Sequence, residues 1–368
     1  MELELSEDQE LFLDTTRKLL AAEVSIPAVR GLEHDPAGFT PEYWRRGAEL
    51  GWTSMLVSEA DGGGSFSGAG LLDLVLVAEE AGKLTAPGPL VPVNVVAAAI
   101  SAAGSADQKA EVLPGLLSGE AVAAWTGPEP VEARIDGDSI VLSGTAAPIE
   151  AGAQAQHLLV VARTDTGLTQ VLVPADAQGL TLAPLGSLDL VRRYASVTFD
   201  AVTLPSTAVV GEVGGAADEV ERLLQIAVVL QCAESCGAID RVFDMTVEYL
   251  GDRFSFGRPL NSYQALKHRI ADDKLVLEAC HGITTAAANA VAAGAPDAGE
   301  LASAAKAWVG PHATELVQDC VQLHGGIGVT WEHDLHLYLR RTTVNRSLYG
   351  SPEDHRERIA THRLGAAS

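Results

Sequence analysis

The chain has 368 residues, 47% hydrophobic and 20% charged, and its 25 Lys plus Arg against 49 Asp plus Glu give a net charge of −24. That length supports roughly two to three domains, and the apolar fraction excludes a disordered chain. The acidity excludes electrostatically driven binding to nucleic acid or to an anionic membrane surface, because a polyanion is repelled; an anionic small ligand needs only a local pocket of cations or N–H groups.

The N-terminus, Met1 to Asp8, is acidic and lacks the basic start and apolar core of a secretory signal. No run of about 18 uninterrupted apolar residues occurs, so no membrane span is expected, and a reducing cytoplasm is the expected compartment. Ser6, Glu10 and Leu11 read as a helix start, with Leu11, Leu13, Leu19 and Leu20 at helical spacing. Further helices are predicted over Pro41 to Leu50, Leu71 to Gly82, Val93 to Ala103 and Ala106 to Leu117. Asp61-Gly-Gly-Gly64 is punctuation between them, because no strand precedes it as a phosphate-binding loop requires.

The texture changes after Gly119. Ala121 to Trp125, Ser139 to Ser143, Leu158 to Arg163, Gln170 to Pro174 and Ala195 to Val202 are short runs rich in Val, Leu and Ile, separated by turn residues. Short strands with no intervening helices point to a β-barrel or sandwich, not a Rossmann unit. Asp189, Arg192 and Arg193 fall here, with strand-edge solubility expected and contact with a ligand phosphate as the alternative. From Val213 the chain is helical again: Glu219 to Leu250, Gln264 to Ala293, Gly299 to His324, Asp334 to Leu348 and Pro352 to His362. The expected architecture is α+β and multidomain: a helical domain over 1–119, a β domain over 120–212 and a four-helix-bundle-like domain over 213–368.

Four cysteines, Cys232, Cys236, Cys280 and Cys320, form no CxxC pair and read as buried small hydrophobes. The stretch Glu332-His333-Asp334-Leu335-His336 is rich in donors, but no distant ligand set accompanies it, and no metal site is expected. No Gly-x-Ser-x-Gly elbow supports a hydrolase.

Two motifs in the last third carry a specific resemblance. Asp252-Arg253-Phe254-Ser255-Phe256-Gly257-Arg258-Pro259-Leu260 is followed by Gln264 and His268. Further on comes Gln322-Leu323-His324-Gly325-Gly326-Ile327-Gly328-Val329-Thr330-Trp331-Glu332, and then Arg340-Arg341. With Leu50-Gly51-Trp52 and Glu79-Glu80-Ala81-Gly82, this pattern resembles the acyl-CoA dehydrogenase family along essentially the whole chain. The resemblance implies FAD as cofactor and oxidation of the Cα–Cβ bond of an acyl-CoA thioester. A carboxylate takes the Cα proton and the flavin takes the hydride. It also implies that Arg253 contacts the flavin pyrophosphate, with Phe256 and Gln264 along the adenosine end. Gln322 and the backbone of Leu323, Gly325 and Gly326 then line pyrophosphate and ribose, across a subunit interface. An electron-transfer flavoprotein-like acceptor is the implied redox partner.

The same comparison exposes departures. Where the family carries its catalytic Glu, before the last helix, this chain reads Leu348-Tyr349-Gly350, which places Tyr349 at the base position. The alternative family position, on the first long helix of the bundle, falls at Ala227-Val228. Glu234, seven residues on in an apolar run, is the remaining candidate, either as a base or as an acid paired with a basic neighbour. At the family's flavin-stacking Trp-x-Thr step stands Pro148-Ile149-Glu150, and the loop Trp125-Thr126-Gly127-Pro128-Glu129-Pro130 is short. The chain therefore resembles one subunit of the two-gene acyl-CoA dehydrogenases of some bacteria, completing the FAD site of a homologous partner. A non-catalytic structural partner and an FAD-dependent oxidase on the same scaffold are the alternatives.

Overall fold

The computed structural model describes residues 5–365. Ser6 opens α1 (Glu7–Glu23) through a capping box: its hydroxyl accepts from Gln9 N, and the Gln9 side chain accepts from Ser6 N. A six-residue α2 (Ile26–Gly31) follows, too short to show a helical period in the sequence. Then come α3 (Pro41–Glu49), α4 (Gly70–Lys83), α5 (Leu90–Ala103) and α6 (Ala106–Leu117). Every residue of α5 from Leu90 to Ser101 is buried, as an all-round apolar helix requires.

The middle of the chain builds one mixed sheet from β1 (Ala123–Trp125), β2 (Val131–Asp136), β3 (Ser139–Glu150), β4 (His157–Thr164), β5 (Gly167–Pro174), β6 (Leu180–Leu185), β7 (Tyr194–Pro205) and β8 (Val209–Val210). Its order is β6-β7-β3-β2-β4-β5-β8, with β1 added beside β4. The β1–β4 and β2–β4 pairs are parallel. Neither β2 nor β6 stands out in the sequence, because most of their residues are not buried and the apolar signal is missing. Strand β3 runs past Ser143 to Glu150 by absorbing two register irregularities, at Leu142/Gly144 and Ala146/Ile149. These carry it through a glycine and a proline that otherwise read as strand breakers.

The last part contains α7 (Ala217–Asp252), a hairpin of β9 (Phe254–Ser255) and β10 (Arg258–Pro259), α8 (Gln264–Ala292), α9 (Ala298–His324), α10 (Leu335–Ser347) and α11 (Pro352–Gly365). Helix α7 is the axis, packing on α4, α5, α8, α9 and α10. By length and apolarity both α7 and α8 could cross a bilayer, but 89% of the apolar window of α7 is buried inside the fold. All four cysteines are buried and free.

The α4–α7 crossing is set by two glycines. A Cβ on Gly82 would lie 2.0 Å from the Glu234 carbonyl oxygen, and one on Gly237 would lie 1.8 Å from that of Glu79. Backbone cannot yield as a side chain can, so only glycine permits this approach. Next to the crossing, His281 of α8 bonds Asp240 of α7 at 2.9 Å and lies 3.7 Å from Glu79 of α4. Burial pushes the imidazole pKa down, but the bonds to Asp240 and Glu79 outweigh this and raise it to about 10.

Two outcomes follow. Gly237→Ala lowers the unfolding free energy by about 3 kcal/mol in chemical denaturation, because the helices must separate. The His281 contribution is complete below the ordinary histidine range near ~6.5 and is lost as pH rises through about 10. A pH series of denaturation curves should therefore show His281→Leu losing its penalty at the alkaline end.

Candidate active site

A cavity of about 450 Å³ opens where the loop after β1, the irregular half of β3 and the turn between α10 and α11 meet. Trp125, Thr126, Pro148, Glu150, Tyr349 and His355 are among its walls. The β1 loop is held by Thr126, whose N–H donates to Leu159 O at 3.0 Å and whose hydroxyl accepts from Val161 N at 3.1 Å. Trp125 stacks on Tyr349 with ring centroids 5.8 Å apart.

Two buried groups fix the Tyr349 turn. Tyr349 has φ +58°, a left-handed conformation costly for a bulky residue. His355 holds its carbonyl at 2.9 Å through Nε2 and meets Ser303 Oγ at 3.1 Å through Nδ1. Burial pushes the His355 pKa down to about 4, so the ring is neutral; the carbonyl requires the proton on Nε2, and Ser303 then donates to Nδ1. From the other side Lys306, 1% exposed, donates to Gln231 Oε1 and to the carbonyls of Asn345 and Leu348. It satisfies the end of α10 as a cation at a helix C-terminus does. Burial pulls its pKa down to about 8.

Below the cavity lies a buried charge network. Arg192, on the loop between β6 and β7, donates to Glu150 at 2.5 Å, to Glu234 of α7 and to the Gly88 carbonyl at 2.6 Å. Arg341 of α10 donates to Asp189 at 2.5 Å, to Glu234 at 2.8 Å and to the carbonyls of Thr85 and Ala86. Asn345 donates to the second Glu234 oxygen at 2.9 Å. Asp189 also accepts from the N–H groups of Val191 and Arg192. Burial raises the Glu234 and Asp189 pKa values, but the guanidiniums and the other hydrogen bonds to each carboxylate bring both below the ordinary range. For Glu150 burial wins, and its pKa is raised.

Several expectations are corrected here. Asp189 and Arg192 are 4% and 5% exposed, so they serve no strand-edge solubility. Arg193 donates to the carbonyls of Leu32, Glu33 and Asp35 and staples the early loop to the sheet. Glu234, absent from the cavity wall, takes the ion-paired one of its two expected roles: Arg192 and Arg341 hold one oxygen and Asn345 the other, which makes it a poor proton acceptor. Tyr349 does line the cavity, but burial, with Glu150 adding, drives its phenol well above the tyrosine range. Ala227 and Val228 are buried and offer no acid. Pro148 and Glu150 line the cavity. The role of Glu150, Asp189, Arg192 and Arg341 as one cluster was missed; the one hint was Glu234 itself, an acid in an apolar run that needs cations.

The remaining candidates gather at the far end of the bundle. Tyr249, one turn before Arg253, donates to His324 O at 3.1 Å and stacks on the His324 ring at 4.4 Å. This contact brings the end of α7 to the end of α9, and with it the hairpin to the Gly325 turn. Arg253, Phe256, Gln264, Gln322, Gly325 and Gly326 are exposed, Phe256 at 98%, whereas the Leu323 side chain is buried. Phe254, Ile327, Val329 and Trp331 are also exposed there. His333 meets His324 edge-on at 4.7 Å and His336 stacks on Trp331 at 4.4 Å, so both histidines are packing groups.

Replacing Arg341 by Met leaves buried Asp189 without its cation and Glu234 with Arg192 alone. The variant should lose about 3–5 kcal/mol of stability at pH 7. Glu234 and Asp189 have depressed folded pKa values, so they stabilise above the ordinary carboxylate range near ~4 and lose that contribution as pH falls through the folded values. The deficit of Arg341→Met should therefore shrink in denaturation curves taken at acid pH.

Comparison with known proteins agrees with this architecture. The model of the acyl-CoA dehydrogenase N-terminal domain matches residues 6–120, and that of the C-terminal domain matches 218–364. The acyl-CoA dehydrogenase IpdE2 of Mycolicibacterium smegmatis is 31% identical over 356 residues, 96% of this chain and 98% of the relative. Its namesake from Mycobacterium tuberculosis is 32% identical over 353 residues, 95% of each chain. Among solved structures, a variant of the Tcur3481-Tcur3483 steroid ACAD matches with a TM-score of 0.89 at 30% identity, over 98% of this chain and 99% of that one. A glutaryl-CoA dehydrogenase from Mycobacterium smegmatis in complex with FADH2 shares the fold, with a TM-score of 0.88 at 23% identity over 99% and 96% of the two chains. Helices, mixed sheet and helical bundle, matched from end to end, make this chain a member of the acyl-CoA dehydrogenase family of FAD-dependent oxidoreductases.

Proposed function

We propose that this chain is one subunit of a two-component acyl-CoA dehydrogenase, acting in the cytoplasm and completing the FAD site of a homologous partner that supplies the proton-accepting carboxylate. The supporting observation is an asymmetry between its outward surface and its own cleft. Outward, Arg253 is exposed and makes no ion pair among the described residues. A Cβ on Gly325 or Gly326 would meet nothing within 4 Å, so backbone there is open to close approach. These features fit a pyrophosphate. Arg253 would neutralise it, Gly325 and Gly326 would bring N–H groups to it, and Phe256, Gln264 and Gln322 would flank the nucleotide. Inward, Tyr349 occupies the customary base position and stacks on Trp125, while Ala227 and Val228 occupy the other.

FAD, when bound, supplies the hydride acceptor of α,β-dehydrogenation. This chain's part is to bind and orient it from across the interface, and the partner's acid takes the Cα proton of the acyl-CoA. The 30% identical structure named for a two-part steroid ACAD supports a two-component assembly and a bulky, ring-bearing acyl group. An electron-transfer flavoprotein-like protein is the proposed acceptor of the electrons.

The test is to purify the chain alone and co-expressed with a homologous subunit, then to measure bound flavin and its bleaching by acyl-CoA. Flavin and bleaching in the pair but not in the lone chain is the expected outcome; full occupancy and turnover by the lone chain rejects the proposal. In the pair, Arg253→Ala should weaken flavin binding about 10- to 100-fold through loss of a charged hydrogen bond. Tyr349→Phe should leave turnover within about twofold, because a phenol held protonated takes no proton.

A further inference from the structure

Glu150 stands at the cavity floor with its two oxygens in unlike settings. Oε1 accepts from Arg192 at 2.5 Å. Oε2 accepts no hydrogen bond among the described residues and is not sealed in the packing, although the residue is 8% exposed. The charge inventory around it does not balance. Glu150, Glu234 and Asp189 are three buried acids, and Arg192 and Arg341 are the two cations that face them. The neighbouring phenols Tyr43, Tyr194 and Tyr349 are all driven above their ordinary range and stay neutral. An uncompensated charge in this setting is costly, so a proton settles on one acid.

Donor counting says which one. Glu234 accepts from Arg192, Arg341 and Asn345, and Asp189 from Arg341 and two backbone N–H groups. Glu150 accepts from Arg192 alone. The anion is least supported at Glu150, in accord with the direction in which burial moves it. The Tyr349 hydroxyl, on the wall of the same cavity, also makes no hydrogen bond among the described residues and offers a second polar contact there.

The geometry points to Glu150 as a ligand-binding acid of this chain's own cavity, presenting its proton on Oε2 to an uncharged acceptor atom of a flat, conjugated ligand. Two sources share that chemistry: the carbonyl and imine positions of a flavin ring, and the carbonyl of an acyl thioester. The assignment takes its probes from the family reading but stands apart from the two-subunit proposal.

Infrared spectra of the full chain at neutral pH, wild type against Glu150→Gln, read the proton directly. Glutamine keeps an acceptor for Arg192 and a donor for the cavity. The expected result is a carboxylic-acid C=O band that the variant lacks; identical spectra in that region overturn the assignment. The wild type alone gives a second reading, because on raising the pH the acid band must convert to carboxylate. Calorimetry with FAD alone and with butyryl-CoA alone, at about pH 6 and about pH 9, then tests the ligand. One probe should bind the wild type about tenfold more weakly at the higher pH, and Glu150→Gln equally at both. Which probe does so identifies the source. No binding of either probe, or the same pH dependence in the variant, overturns the ligand assignment. Neither result alters the flavin content of the co-expressed pair, so failure here is distinguishable from failure of the proposed function.

Discussion

The fold depends on a buried meeting of charges. Arg192 and Arg341, together with Glu150, Glu234 and Asp189, join the sheet, the axial helix α7 and helix α10, and both arginines also bind carbonyls of the α4–α5 loop. Such a cluster adds little net stability over a well-packed apolar alternative, because desolvation offsets most of the attraction. What it adds is position. A guanidinium has a fixed fork of donors, and each fork here takes partners from three parts of the chain. Every wall of the cavity is borne by an element that this cluster ties down or that adjoins one.

The cavity inherits its character from that arrangement. Lys306 and His355 fix the Tyr349 turn, one charged and one neutral, each with its polar atoms fully used. Tyr349 and Trp125 then supply flat apolar surface, and Glu150 supplies a polar floor. A cleft built this way is suited to holding a planar group, and on the proposed reading it lacks an ionised acid in either customary place. At the other end of the bundle the chemistry is reversed. A cation, open glycines and large exposed apolar side chains face outward. Exposed aromatics on this scale, clustered at one end, mark a surface meant to be covered. On the proposed reading, the partner covers it and brings its nucleotide there.

Much of this was legible in the residues. Helical periodicity, capping residues and the change of texture after Gly119 report local preferences, and local preferences need no partner to be read. The two motifs around Arg253 and Gly325 were legible for a related reason: each is a contiguous run whose glycines and turn residues state the backbone they require. Strands β2 and β6 were not legible, since a strand that buries little carries no alternating apolar signal.

The site divides along the same line. The resemblance in sequence implies that Tyr349 stands where an acid is customary and Pro148 and Glu150 where a flavin platform is customary, and the proposed function rests on those identities at a position. Only the tertiary structure decided what Glu234 and Arg192 do. Their partners lie 42 to 111 residues away along the chain, and Asp189 finds Arg341 across 152. The protonation of a buried carboxyl is set by the sum of charges and donors within a few ångströms. That sum exists only after distant segments have packed together, so no stretch of sequence contains it.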